Sequence, residues 1–142
     1  MTGAVVAIAV KQPLLALPAA FLSHFVIDML PHWDYKLPKF PRARRLVIGL
    51  DLLISAWLLV LLAVILPESG WLAFFGGFLA IAPDAMWLPY ILHGGQSPVH
   101  KNNLLHWTRR FHLKIQRSET SKGALVEAIW LVLMVLVLAR IA

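Results

Sequence analysis

Apolar residues in this chain run in blocks rather than alternating with polar ones. An α-helix needs about 20 apolar residues to cross a bilayer at 1.5 Å rise each. Four blocks reach or approach that length: residues 13–30, 46–66, 70–92 and 124–142. Few ionisable groups interrupt them. The first carries His24 and Asp28, the second Asp51, the third Asp84, and the fourth Glu127 and Arg140. Residues 1–10 are apolar too, but Lys11 cuts them off from the next block. They are too short to cross alone and predict a short interfacial or re-entrant piece. A cleaved signal peptide would carry its basic residues ahead of the apolar run; here the first, Lys11, follows it. The pattern predicts an all-α membrane protein of one domain, residues 1–142. It is a bundle of about four transmembrane helices with an interfacial amphipathic helix.

Two connections remain, residues 31–45 and 93–123. The first holds Lys36, Lys39, Arg42, Arg44 and Arg45; the second holds Lys101, Arg109, Arg110, Lys114, Arg117 and Lys122. The short connection 67–69 has no basic residue and carries Glu68. Four alternating spans put both basic loops on one side, and the bias of Lys and Arg makes that side the cytoplasm. The location expected is the bacterial inner membrane, multi-pass, with both termini outward. Within the second loop, Leu104, Trp107, Phe111 and Ile115 are spaced 3, 4 and 4, one stripe of a helix flanked by basic residues. Such a helix lies at headgroup level. Trp33, Trp87 and Trp107 fall at the same interface, as an aromatic belt does. Pro31, Pro38 and Pro41 predict a rigid, non-helical first loop.

Composition supports the membrane reading. Of 142 residues, 60% are hydrophobic and 14% charged, and mean hydropathy is +0.75. Soluble domains carry about a quarter charged residues. With no cysteine, a disulfide-stapled module and a cysteine-ligated zinc finger are excluded. The net charge of +6 sits where topology puts it, facing an anionic leaflet. Membrane lipids are therefore the expected partners and nucleic acid is not; a homo-oligomer is compatible with the sequence.

The acids change the picture further. A carboxylate at mid-bilayer costs about 2.5–3.5 kcal/mol on insertion scales and needs a partner or a task. Asp28, Asp51, Asp84 and Glu127 all fall in the cytoplasmic half of their spans. A divalent cation would let such acids ionise together. His24 and Asp28 are four apart and share one helix face. His32 and Asp34 follow, and His93, His100, His106 and His112 lie in the second basic loop. Imidazole with carboxylate oxygen suits zinc, manganese or iron. Each group also has a plainer reading. His24 and Asp28 could be a hydrogen-bonded pair between helices. Asp84, after Pro83, could bond a freed backbone group. Asp51 could pack with Ser55, and Glu127 could snorkel to the interface. No glycine-rich phosphate loop and no nucleophile elbow occur.

The stretch Leu22-Ser23-His24-x-x-x-Asp28-Met29-Leu30 resembles the bacterial membrane-bound metal-dependent hydrolases of the inner membrane, and Pro83-Asp84 is similar to their second element. Met86 and Trp87 stand where members often carry a further acid. A His-x-x-x-Asp helix followed by another His has a more distant likeness to the zinc-dependent phospholipase C and single-strand nuclease superfamily. The resemblance implies an α-helical membrane protein that hydrolyses a phosphoester. His24, Asp28 and Asp84 would bind a divalent metal, zinc first and manganese or iron as alternatives. His112 or His106 would be the loop-borne ligand or general acid. His32 and Asp34 would flank the pocket with His106 as the catalytic set, and Arg109 and Arg110 would hold phosphate of a phospholipid or other phosphorylated substrate. The alternative is a non-enzymatic membrane protein that binds metal, handles protons or ions, or acts as a scaffold. Transport, though, needs a polar path to the outer side, and the outward halves of the spans hold almost no polar residue.

Overall fold

A computed structural model describes residues 1–32, 41–89, 103–116, 120 and 122–141. All its elements are helical: α1 (Thr2–Val10), α2 (Pro13–Asp28), α3 (Pro41–Ile65), α4 (Gly70–Ile81), a 3-10 helix (Ala82–Trp87), α5 (Leu104–Ile115) and α6 (Gly123–Ile141). Leu46–Ile65 and Gly123–Ile141 are long and apolar enough to cross a membrane, whereas Pro13–Asp28 is a shorter apolar helix. The third block is divided because Pro83 lacks the N–H that α4 would need to continue. The chain tightens into 3-10 turns there instead. Pro41, expected in a non-helical loop, is the first residue of α3. A proline's fixed φ suits that position and its missing N–H costs nothing there.

The centre of the fold is α1, packed against α2 and α4. Gly3, Ala4, Val5, Ala7 and Ile8 are buried, so α1 is an interior helix and not an interfacial one. Its residues are apolar all round, which is what a helix enclosed by neighbours requires. Gly3 and Ala7 face Gly76 and Ala80 of α4: a methyl added at Gly3 would overlap Ala80 and the Gly76 carbonyl, and one at Gly76 would overlap Ala7. These are small residues four apart on both helices, the pattern that lets membrane helices approach backbone to backbone. A third notch at Gly77 receives Leu59 of α3.

The turn from α1 to α2 is tight. Gln12 N–H donates to the Val10 carbonyl at 2.7 Å around Lys11, whose φ is +63°. That is a γ-turn of the rare strained hand. It folds α1 back along α2, so that Met1 stands beside Ile27 and Leu30 in the last turn of α2. Outside this centre, α3 leans on α4 and α6 leans on α1. Leu138 and Ile141 of α6 pack on Ala4, Ile8, Leu62 and Ala73. Trp130 Nε1 donates to Thr2 Oγ1 at 2.8 Å.

Replacing Gly76 by Val should lower stability by about 1–3 kcal/mol, the usual range for overpacking. Gly49, with open space around its Cα, should accept Ala with no loss or a gain of up to about 1 kcal/mol. Thermal unfolding in detergent checks both.

Candidate metal centre

Three elements end at one place. The last turns of α2 supply His24 and Asp28, one helical turn apart, with Nε2 and Oδ2 3.3 Å from each other. The 3-10 helix supplies Asp84 from its first turn. Its Oδ1 is 3.7 Å from His24 Nε2. Helix α5 supplies His112, whose Nε2 lies 3.0 Å from His24 Nε2, 2.5 Å from Asp28 Oδ2 and 3.9 Å from Asp84 Oδ1. His24, Asp84 and His112 form a group that could hold a metal ion, their ligand atoms all within 4.8 Å of one another. Tetrahedral ligands at 2.0–2.1 Å from zinc stand about 3.3 Å apart. Most of the separations here bracket that value.

The protons support the same reading. Two Nε2 atoms 3.0 Å apart can share at most one hydrogen, since two N–H groups cannot point at each other. Asp28 Oδ2 is close to both imidazoles but outside hydrogen-bond geometry, and it has no hydrogen-bond partner among the described residues. Lone pairs of two imidazoles and two carboxylates thus converge on one volume. They repel unless positive charge joins them. A divalent cation would supply it, and this donor set suits one. His112 Nδ1 is also buried without a hydrogen-bond partner, so the acceptor that usually takes the other N–H of a ligating histidine is not among the described residues.

Aromatic rings wall the cluster. His24 and His112 stack at 5.1 Å between centroids, 25° apart in plane. Phe25 meets both edge-on and also touches Phe111, while Trp87 stands 6.1 Å from His112. His112 is only 1% exposed, and the side chain of Asp84 is 51% exposed. The centre is closed on the histidine side and open at Asp84.

The other sequence candidates separate according to where helix geometry turns them. Arg109 is three residues before His112, about 60° around the helix, and its guanidinium lies over the Trp87 ring at 5.2 Å. Burial lowers its pKa from the usual value, and an arginine stays charged regardless. Arg110 is about 160° from His112 and lies over Trp107 at 5.6 Å. The two arginines therefore do not form one clamp. His106, six residues from His112, is about 120° away; its ring meets Trp107 at 6.4 Å. His32 Nδ1 donates to the Leu30 carbonyl at 2.9 Å, and the ring lines a separate cavity with α6. Asp51 is exposed on α3 but near enough for its charge to act on Asp84. Glu127 lines the cavity beside His32. Asp34, His93 and His100 lie outside the described residues, as does Trp33. Phe25 was not singled out from the sequence, although its place next to His24 was a signal.

Changing His24 or His112 to Ala, or Asp84 to Asn, should each remove bound metal; Glu127→Gln should leave it in place. Elemental analysis of untagged protein in mild detergent reads this directly.

No family model, curated protein or solved structure matches the chain.

Proposed function

We propose that this chain is a multi-pass protein of the bacterial inner membrane, crossing about four times. It would hold a divalent metal, zinc first, and hydrolyse a phosphoester at the cytoplasmic face. The observation that carries the hydrolytic reading is the open side of the centre: two histidines and Asp28 are enclosed, while Asp84 faces outward. A closed four-ligand site would be structural; a catalytic one keeps a position for water or substrate. Held by His24, His112 and Asp84, a divalent cation would supply Lewis acidity toward a phosphoryl oxygen and would lower the pKa of water at the open side. Arg109, beside Trp87 on the site's side of α5, would take a phosphate oxygen. Membership of the membrane-bound metal-dependent hydrolases is proposed on the same residues.

The membrane reading draws on exposure. None of the apolar window of α6 is buried, and 11% of that of α3. Leu53, Val64, Leu125 and Leu136 are between 59% and 73% exposed. Apolar faces of that extent call for a lipid or protein partner. Helix α5 turns His112 inward and leaves Leu104, Trp107 and Phe111 exposed. An open groove of about 630 Å³ runs along it past Arg110 and Lys114. Aromatic rings beside basic residues suit the headgroup level of a phospholipid leaflet. These features support a centre at the depth of lipid phosphates.

A second reading is a metal site that only fastens α5 to the bundle. The 1% exposure of His112, the most enclosed polar side chain among the described residues, favours it. The two readings part on activity. The metal-loaded protein should hydrolyse lipid phosphate esters in mixed micelles. Asp84→Asn and His112→Ala should cost more than about 100-fold, beyond the 10–100-fold typical of second-shell changes. Metal bound without turnover would leave the fastening role.

A further inference from the structure

Helix α5 turns one edge to the candidate metal centre and the opposite edge away from it. At about 100° per residue, Arg110 and Lys114 each lie about 160° from His112, on the two sides of the direction pointing away. They are four residues apart and so are neighbours on one face. Both are exposed, and neither is paired with an acid among the described residues. Helix α5 itself contains no acid. The two cations border the open groove of about 630 Å³, which Trp107, Phe111 and Leu113 complete. Those three apolar side chains are 57%, 51% and 51% exposed. The Arg110 guanidinium already lies over the Trp107 ring at 5.6 Å, so less side-chain freedom is lost when it takes a ligand.

We propose that this groove binds the headgroup phosphate of an anionic phospholipid, one that is held there and not hydrolysed. Guanidinium and ammonium only donate, and phosphate oxygens are the acceptors they match best. Two cations without a counter-charge select an anion. A zwitterionic headgroup brings its own ammonium beside its phosphate, and that charge is repelled by Arg110 and Lys114; an anionic headgroup carries none. The exposed apolar side chains select a ligand with hydrocarbon next to its phosphate, which inorganic phosphate lacks. The bound lipid cannot be the substrate, because the groove is on the edge of α5 opposite His112. Neighbouring arginines therefore do different work: Arg109 lies over Trp87 beside the centre, and Arg110 faces the leaflet. This assignment rests on the membrane reading of the chain and not on the metal or its chemistry.

The full chain can be placed in phosphatidylcholine nanodiscs with a trace of photoreactive phosphatidylglycerol or of matched photoreactive phosphatidylcholine. Each probe carries a diazirine at the glycerol end of one acyl chain, and cross-links are mapped by mass spectrometry. A basic residue close to an anionic lipid changes its partition by about fivefold. Labelling of α5 by the anionic probe should thus exceed that by the zwitterionic probe by about fivefold or more. Arg110→Gln with Lys114→Gln should lower the anionic label by more than about tenfold, with the thermal midpoint unchanged. Arg110→Lys with Lys114→Arg keeps both charges and should keep most of the label. Lys11→Gln with Arg140→Gln removes the same charge elsewhere and should leave it intact. Equal labelling by the two lipids, or an undiminished anionic label in the double Gln variant, would overturn the proposal. So would stronger labelling of α5 by an oligonucleotide bearing the same diazirine, since exposed rings also stack on bases. A chain that stays in solution without detergent and is not recovered in the discs would sink the membrane reading, and the lipid assignment with it.

Discussion

Helices α1 and α4 approach until only glycine and alanine fit between them, and the rest of the molecule is arranged around that contact. In a bilayer, helix association cannot draw on removal of apolar surface from water. It depends on close packing, and close packing depends on Gly3, Ala7, Gly76 and Ala80. The contact fixes α4 relative to the α1–α2 hairpin. That fixes where α4 gives way to 3-10 turns at Pro83, and hence where Asp84 stands relative to His24.

The polar end of the bundle follows a different rule. Four of its ionisable groups, His24, Asp28, Asp84 and His112, gather in one cluster. Each would be costly alone. Together they form a donor set that a single cation satisfies, and His112 brings α5 with it. Among the described residues, Phe111 also meets Phe25, and Arg109 covers Trp87. The chemistry of the cluster and the seating of α5 are thus one interaction seen from two sides.

How much of this was legible in the sequence depends on how local the signal was. His24 and Asp28 could be paired from their spacing alone, and Pro83-Asp84 marked a break with an acid at it. Apolar blocks were enough for the all-helical class. His112 could not be separated from His106 by pattern, because the rotation of α5 is set by contacts across the chain. The apolar stripe 104, 107 and 111 was visible, but its outward direction depended on which histidine turned inward. Helix α1 was hidden for the opposite reason: a uniformly apolar helix has no polar face to reveal its surroundings, and nine residues are too few to register as a span. Pro41 misled because proline ends helices and also begins them.

The burial of α1 bears on the order of assembly during synthesis. Its partner surface on α4 is encoded about seventy residues later, so α1 is synthesised before the groove that will enclose it exists. A helix of nine residues extends about 14 Å, less than half the hydrocarbon thickness. Before α4 is made, α1 has only α2 to pack against, across the turn at Lys11. The candidate metal centre, whose Asp84 and His112 both follow α4 in the chain, can likewise be completed only after the surface that encloses α1 has been made.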